Sequence, residues 1–149
     1  MRDDKLFIDS NTFLYTVDEL EHDKRSVAEN WLLELVQSGS GVTNLQVLNE
    51  VTNVLTKEAR RFGVANPFSR FDAFARFGSM PISLSTTIAA RNIHESFRYS
   101  WWDCLLLASA LELGCTHFLS EDLQDGQAIQ GLTIVDPFAH TPEQILSPR

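Results

Sequence analysis

An α/β fold with a central parallel sheet covered by helices on both faces is predicted from three observations. Short apolar runs bounded by polar residues alternate with longer amphipathic segments. Capping and stopping residues fall between them. Strands that alternate with helices need helical crossovers, which place helices over both faces of a parallel sheet.

The elements follow in order. Lys5 to Ile8 reads as a short buried strand, and Ser10 or Asn11 caps a helix through about Val17. The acidic segment Asp18 to Asp23 is then a surface turn. Lys24 to Ser38 is an amphipathic helix with Val27, Trp31, Leu32, Leu35 and Val36 on its apolar stripe and Gly39 as its stop. Gly41 to Thr43 is a short strand. Asn44 caps a long helix from Leu45 to Phe62, ended by Gly63. Asn66 and Pro67 restart a helix through Phe77, whose Phe68, Phe71, Phe74 and Phe77 form an aromatic packing stripe. Pro81 to Leu84 reads as a strand, Ser85 caps a helix to about Phe97, and Ser100 caps another from Trp101 to Leu113 that stops at Gly114. Thr116 to Leu119 and Leu132 to Val135 are strands joined by the polar loop Ser120 to Gln130. The tail from Asp136, with three prolines, is a terminal extension.

At 149 residues the chain is expected to be a single domain with a sufficient core of its own. No apolar stretch approaches the roughly 18 residues that cross a bilayer, and no signal-peptide core follows the N-terminus, so a cytoplasmic protein without membrane attachment is expected. Cys104 and Cys115 show no CxxC spacing and read as buried free thiols. The four histidines are scattered without ligand spacing. A net charge of -8 argues against a strongly electrostatic, sequence-independent nucleic-acid binder, although not against an enzyme acting on nucleic acid. The basic residues concentrate in Lys57, Arg60, Arg61, Arg70 and Arg76, a candidate RNA-binding stretch or a solvated helix face.

Four acids stand against apolar segments: Asp9, Glu50, Asp103 and Asp122. Asp9 and Asp122 fall at the carboxyl ends of predicted strands, and Asp103 lies in the first turn of a predicted helix. Ligands of open parallel sheets bind at that edge. Glu50 shares an apolar helix face with Val47 and Val54, which is costly for an unpaired carboxylate. Each acid also has a plain explanation: Asp9 as a helix or turn cap, Asp103 in a capping box with Ser100, Asp122 as a loop residue and Glu50 in an ion pair. Taken together, they predict a cage for Mg2+ or Mn2+, since clustered carboxylates repel and hard oxygen ligands suit those ions. Such a site activates water for in-line attack on a phosphodiester. Ser10, Asn11 and Ser120 are polar neighbours able to orient a carboxylate, and Glu121 and Asp125 are spare acids that can assist or replace Asp122.

The segments Phe7 to Asn11, Val47 to Val51, Ser100 to Ala110 and Leu119 to Gly126, in this order and spacing, resemble the PIN-domain ribonucleases, in particular the VapC-like toxins of bacterial toxin-antitoxin pairs. The resemblance covers roughly Leu6 to Phe138, which divides the chain into a PIN-like domain over 1–138 and a tail over 139–149. It implies about five parallel strands flanked by helices, Mg2+- or Mn2+-dependent cleavage of RNA, and a homodimer inhibited by a small antitoxin. By position, Asp9, Glu50, Asp103 and Asp122 would be its metal-site acids, with Asn11 and Ser120 in supporting positions. Two other readings compete. One is a catalytically weak RNA- or protein-binding module of the same fold. The other is a phosphotransfer enzyme or receiver using Asp9 as nucleophile, disfavoured because Asn11 stands where haloacid-dehalogenase-like phosphatases carry a second aspartate.

Overall fold

The computed structural model describes residues 4–62 and 65–146. Its sheet has five strands in the order β2-β1-β3-β5-β4: β1 (Leu6–Ile8), β2 (Gly41–Val42), β3 (His117–Leu119), β4 (Ala128–Ile129) and β5 (Leu132–Val135). β1 pairs in parallel with β2 and β3, and β3 pairs in parallel with β5. Leu6, Phe7, Ile8, Phe118, Leu119, Ile134 and Val135 are all buried, as strands covered on both faces require. Phe7 and Phe118, neighbours across the β1/β3 pair, stack with ring centroids 5.1 Å apart.

The fifth strand departs from expectation. Within the segment read as a polar loop, Ala128 and Ile129 turn back and pair antiparallel with β5 through Gln130 and Gly131. Both turn residues have positive φ, 52° and 90°, the geometry of a tight two-residue hairpin. Ile129 is the only apolar signal in the strand that packs inward, too little to stand out in a sequence.

The helices are α1 (Ser10–Tyr15), α2 (His22–Ser38), α3 (Leu45–Lys57), α4 (Phe71–Ala75), α5 (Leu84–Phe97), α6 (Trp101–Glu112) and α7 (Pro142–Ile145). α1 packs on α2 and α3, and α5 lies along α6. α6 is buried continuously from Cys104 to Ala110, so it is apolar all round rather than striped. Both cysteines are buried and free, and burial pushes the Cys115 thiol up to about 12.

Several predicted boundaries move, each for a local reason. Asp9, rather than Ser10 or Asn11, is the N-cap of α1, its side chain accepting from the Ser10 N–H. α2 buries Ala28, Trp31 and Leu35, which leaves Val27 and Val36 exposed. Gly39 ends it in the left-handed region at φ 69°. Asp18, expected in a surface turn, is buried and held by Arg61 at 3.2 Å and by the Leu20 N–H.

That Arg61 contact also explains why α3 stops at Lys57, five residues early. The chain turns so that Phe62 enters the core and Arg61 reaches Asp18. The predicted stop at Gly63 lies outside the described residues. Beyond it, Asn66 caps a turn through its bond to the Phe68 N–H, and α4 forms only from Phe71. Phe74 and Phe77 pack on Phe13, whereas Phe68 is exposed.

The stretch Pro81 to Leu84 is not a strand. The chain makes a single parallel bridge between Asn44 and Met80 and then enters α5. Ser83, not Ser85, caps that helix, in a reciprocal box with Thr86. The segment after β5 is tied back by the Trp31 indole, which donates to the Pro137 carbonyl at 2.8 Å, and α7 packs on α2.

Candidate active site

β1 lies between β2, reached next along the chain, and β3, reached four helices after that, so the strand order reverses at β1. In a parallel sheet this reversal opens a crevice beyond the carboxyl ends of the two central strands. Asp9 directly follows β1 and Ser120 directly follows β3.

Asp9 is buried, with Oδ1 accepting from the Ser10 N–H at 2.7 Å and the Ser10 hydroxyl at 3.4 Å. Its Oδ2 has no donor among the described residues. Burial, together with repulsion from Glu50, Asp103 and Asp122, lifts the Asp9 carboxyl to about 7 against the Ser10 hydrogen bond. These four acids, far apart in sequence, therefore share one electrostatic environment. Among the described residues no three His, Cys, Asp or Glu side chains form a closed metal-ligand group. The acids thus face one another within Coulombic range without a finished coordination sphere.

Each of the other three is oriented by a neutral partner. Glu50 Oε1 accepts from the Gln46 amide one turn earlier on α3, at 3.0 Å. Asp103 Oδ2 accepts from the Ser100 hydroxyl at 2.9 Å, while Ser100 also caps the Asp103 N–H. The capping box expected there is made to the Ser100 side chain. Asp122 Oδ2 accepts from the Asn11 amide at 2.8 Å, and its own N–H donates to the buried Ser120 hydroxyl. The Asp122 carboxyl is raised by burial and by repulsion from Glu121 and Asp103, and held down by Asn11 and by the Lys24 charge.

The spare acids are engaged elsewhere. Glu121 accepts from the Tyr15 hydroxyl at 2.6 Å and from Lys24 at 2.9 Å. Asp125 accepts from the Asp136 N–H and pairs with His140 at 2.8 Å, which lowers its pKa. Of the basic stretch, Lys57, Arg60, Arg70 and Arg76 are exposed, while Arg61 is committed to Asp18 and Glu58. Tyr15, Lys24 and Gln46 join these contacts without being among the residues the sequence predicts for the site. The i,i+4 spacing of Gln46 to Glu50 was readable there, but the contacts of Tyr15 and Lys24 with Glu121 depend on the fold.

The donor set fits a hard divalent cation: all four groups are carboxylates, and a buried carboxylate oxygen without a donor is stabilised by a cation.

The PIN domain family matches residues 6–124. The chain belongs to the PIN domain family. PIN domains are generally nucleases, which places the chain among hydrolases of nucleic acid. The same PIN fold occurs in a toxin-antitoxin complex from Klebsiella pneumoniae, at 14% identity and a TM-score of 0.60, over 89% of this chain and 98% of that one. It occurs again in VapBC2 from Rickettsia felis bound to a DNA fragment from its promoter, at 16% identity and a TM-score of 0.62, over 87% and 96%. No curated protein sequence matches the chain. Among the described residues no helix is long and apolar enough to cross a membrane.

Proposed function

We propose that this PIN domain is a metal-dependent endoribonuclease, the toxin of a cytoplasmic toxin-antitoxin pair. The observation that carries the reading is the environment of Asp9: a buried carboxylate with a free oxygen, placed where three other acids repel it. A charge arrangement this unfavourable for the bare protein suits a site completed by a cation.

In this reading Asp9, Glu50, Asp103 and Asp122 hold Mg2+ or Mn2+, with Ser10, Asn11 and Ser120 fixing the carboxylates. The ion supplies charge neutralisation at the phosphate and acidifies the attacking water. Glu50 keeps Oε2 free of donors among the described residues, so it can take the proton that water loses as it bonds to phosphorus. The phosphorus–oxygen bond to the leaving nucleoside then breaks, and the departing oxygen takes a proton from solvent. Lys57, Arg60, Arg70 and Arg76 supply exposed positive charge for the RNA backbone.

Exposed apolar residues provide room for protein partners. Leu84, Ile88 and Trp102 offer area for a second copy, and Leu33 and Val36 border an apolar cavity of about 520 Å3 between α2 and α4 that suits a segment of the antitoxin. Assay of the antitoxin-free chain on single-stranded RNA with Mg2+, Mn2+ or EDTA tests the catalytic claim. Cleavage is expected only with a cation and is expected to disappear in Asp9→Asn and Asp103→Asn. Equal cleavage in EDTA, or full activity in either variant, rejects it.

The open spacing of the four acids favours one alternative, a catalytically weak RNA- or protein-binding module. It predicts RNA binding that survives Asp9→Asn, is lost in Arg60→Glu with Arg70→Glu, and is accompanied by no cleavage in any cation.

A further inference from the structure

Asp122 and Glu121 are consecutive acids at the mouth of the crevice, yet only Asp122 acts on Asp9. α1 separates them. Asn11 and Tyr15 stand one turn apart on that helix, so both face the loop after β3. The Asn11 amide takes Asp122 Oδ2 at 2.8 Å, and the Tyr15 hydroxyl takes Glu121 Oε1 at 2.6 Å.

Lys24 from α2 completes the arrangement. Its Nζ reaches Glu121 Oε2 at 2.9 Å and the Tyr15 hydroxyl at 3.3 Å, so both oxygens of Glu121 are occupied. The ammonium also lies 5.0 Å from the Tyr15 ring centre and 5.1 Å from that of Phe138, within cation–π range of both. Tyr15 and Phe138 pack edge to face at 5.2 Å. Lys24 is therefore fixed by contacts to three residues, Glu121, Tyr15 and Phe138, rather than by one flexible surface pair.

We infer that Tyr15 and Lys24 form a clamp that withholds Glu121 from the acid cluster, so that the cation site is built from four carboxylates and not five. The inference rests on the cation-dependent reading above. Both clamp residues are positioning residues: they touch Glu121 and not the reacting atoms. The number of carboxylates around a divalent ion sets its affinity, and a site that holds the ion too tightly through protein oxygens leaves fewer positions for water and phosphate. Keeping Glu121 away preserves those positions.

The test is equilibrium Mn2+ binding to the full chain without RNA. In Tyr15→Phe/Lys24→Met, Glu121 is released beside Asp122, and Mn2+ is expected to bind on the order of tenfold more tightly. Adding Glu121→Gln to this pair is expected to return affinity to the wild-type value, and Lys24→Arg alone is expected to retain it. A merely structural role predicts the opposite sign, because a loosened loop weakens binding. Lys24→Met alone, which keeps the Tyr15 bond, provides a milder variant, with tightening expected to be smaller. Unchanged or weaker binding in the folded variants overturns the clamp, as does tightening that persists with Glu121→Gln. Wild-type protein that binds no Mn2+ overturns the cation-dependent reading and the clamp with it, so the two failures are told apart by the wild type alone.

Discussion

Asp9 is the residue where folding and chemistry conflict. Its carboxyl sits near 7 in the folded chain and near 3.8 as an ordinary carboxylate. A raised folded value means that the folded state binds the proton more tightly than the unfolded state. Stability contributed by this group is therefore highest at low pH and falls as pH rises from about 4 to about 7. In EDTA, Asp9→Asn is expected to stabilise the protein by roughly 1–3 kcal/mol at pH 8 and much less at pH 5, as read from urea unfolding at both values. The asparagine retains an oxygen for the Ser10 N–H, so loss of the cap does not obscure the result. A second consequence follows for the cation: Mn2+ binding at pH 6 should release close to one proton, and at pH 8.5 almost none, measurable by calorimetry in buffers of different ionisation enthalpy. Equal proton release at both values would place the titrating group elsewhere.

Asp18 and Arg61 pose a plainer residue-level question. Arg61→Ala leaves a buried carboxylate without its cation and is expected to cost about 1–3 kcal/mol, whereas Arg60→Ala, at an exposed position, is expected to stay within about 0.5 kcal/mol. Chemical denaturation of the two variants separates structural from surface arginines within one basic run. The four acids were readable in the sequence because each sat oddly in apolar surroundings. The Asp18–Arg61 pair was not, since a separation of 43 residues carries no local signal and an acidic turn reads as solvated.

At the scale of elements, what was legible depended on whether a cap or a tertiary contact set the boundary. Gly39, Asn44 and Ser100 act as expected because their roles are local: a left-handed residue, and two side chains accepting from N–H groups three residues ahead. α3 and α4 are shorter than their periodicity suggests because Arg61, Phe62 and Phe74 are placed by partners distant in sequence. α5 gives a direct check on its corrected start. Ser83→Ala is expected to cost about 1 kcal/mol by removing the side-chain half of the box while the Ser83 N–H keeps its bond to the Thr86 hydroxyl, and Ser85→Ala only a few tenths, compared by thermal unfolding. Gly78 marks another constraint that sequence reading passed over. Its φ is 132°, and a Cβ there would lie 2.6 Å from the Thr43 carbonyl oxygen, so Gly78→Ala is expected to lose at least about 2 kcal/mol.

For the whole molecule, a charge of -8 opposes RNA while a small exposed basic set attracts it. Few phosphates can then be neutralised at once, and raising salt from about 50 to 200 mM should weaken single-stranded RNA binding by about fiftyfold or less. Filter binding across that range checks it, and a much steeper loss would require a larger basic surface than the one assigned. The sheet order, with its reversal at β1, explains why distant acids meet; the alternation of strands and helices announced the sheet but not the order. The outermost strands, β2 and β4, are each only two residues long. A sheet that ends in such stubs presents almost no free row of backbone donors and acceptors to another chain, so copies crowded together at high expression have little template for edge-to-edge aggregation.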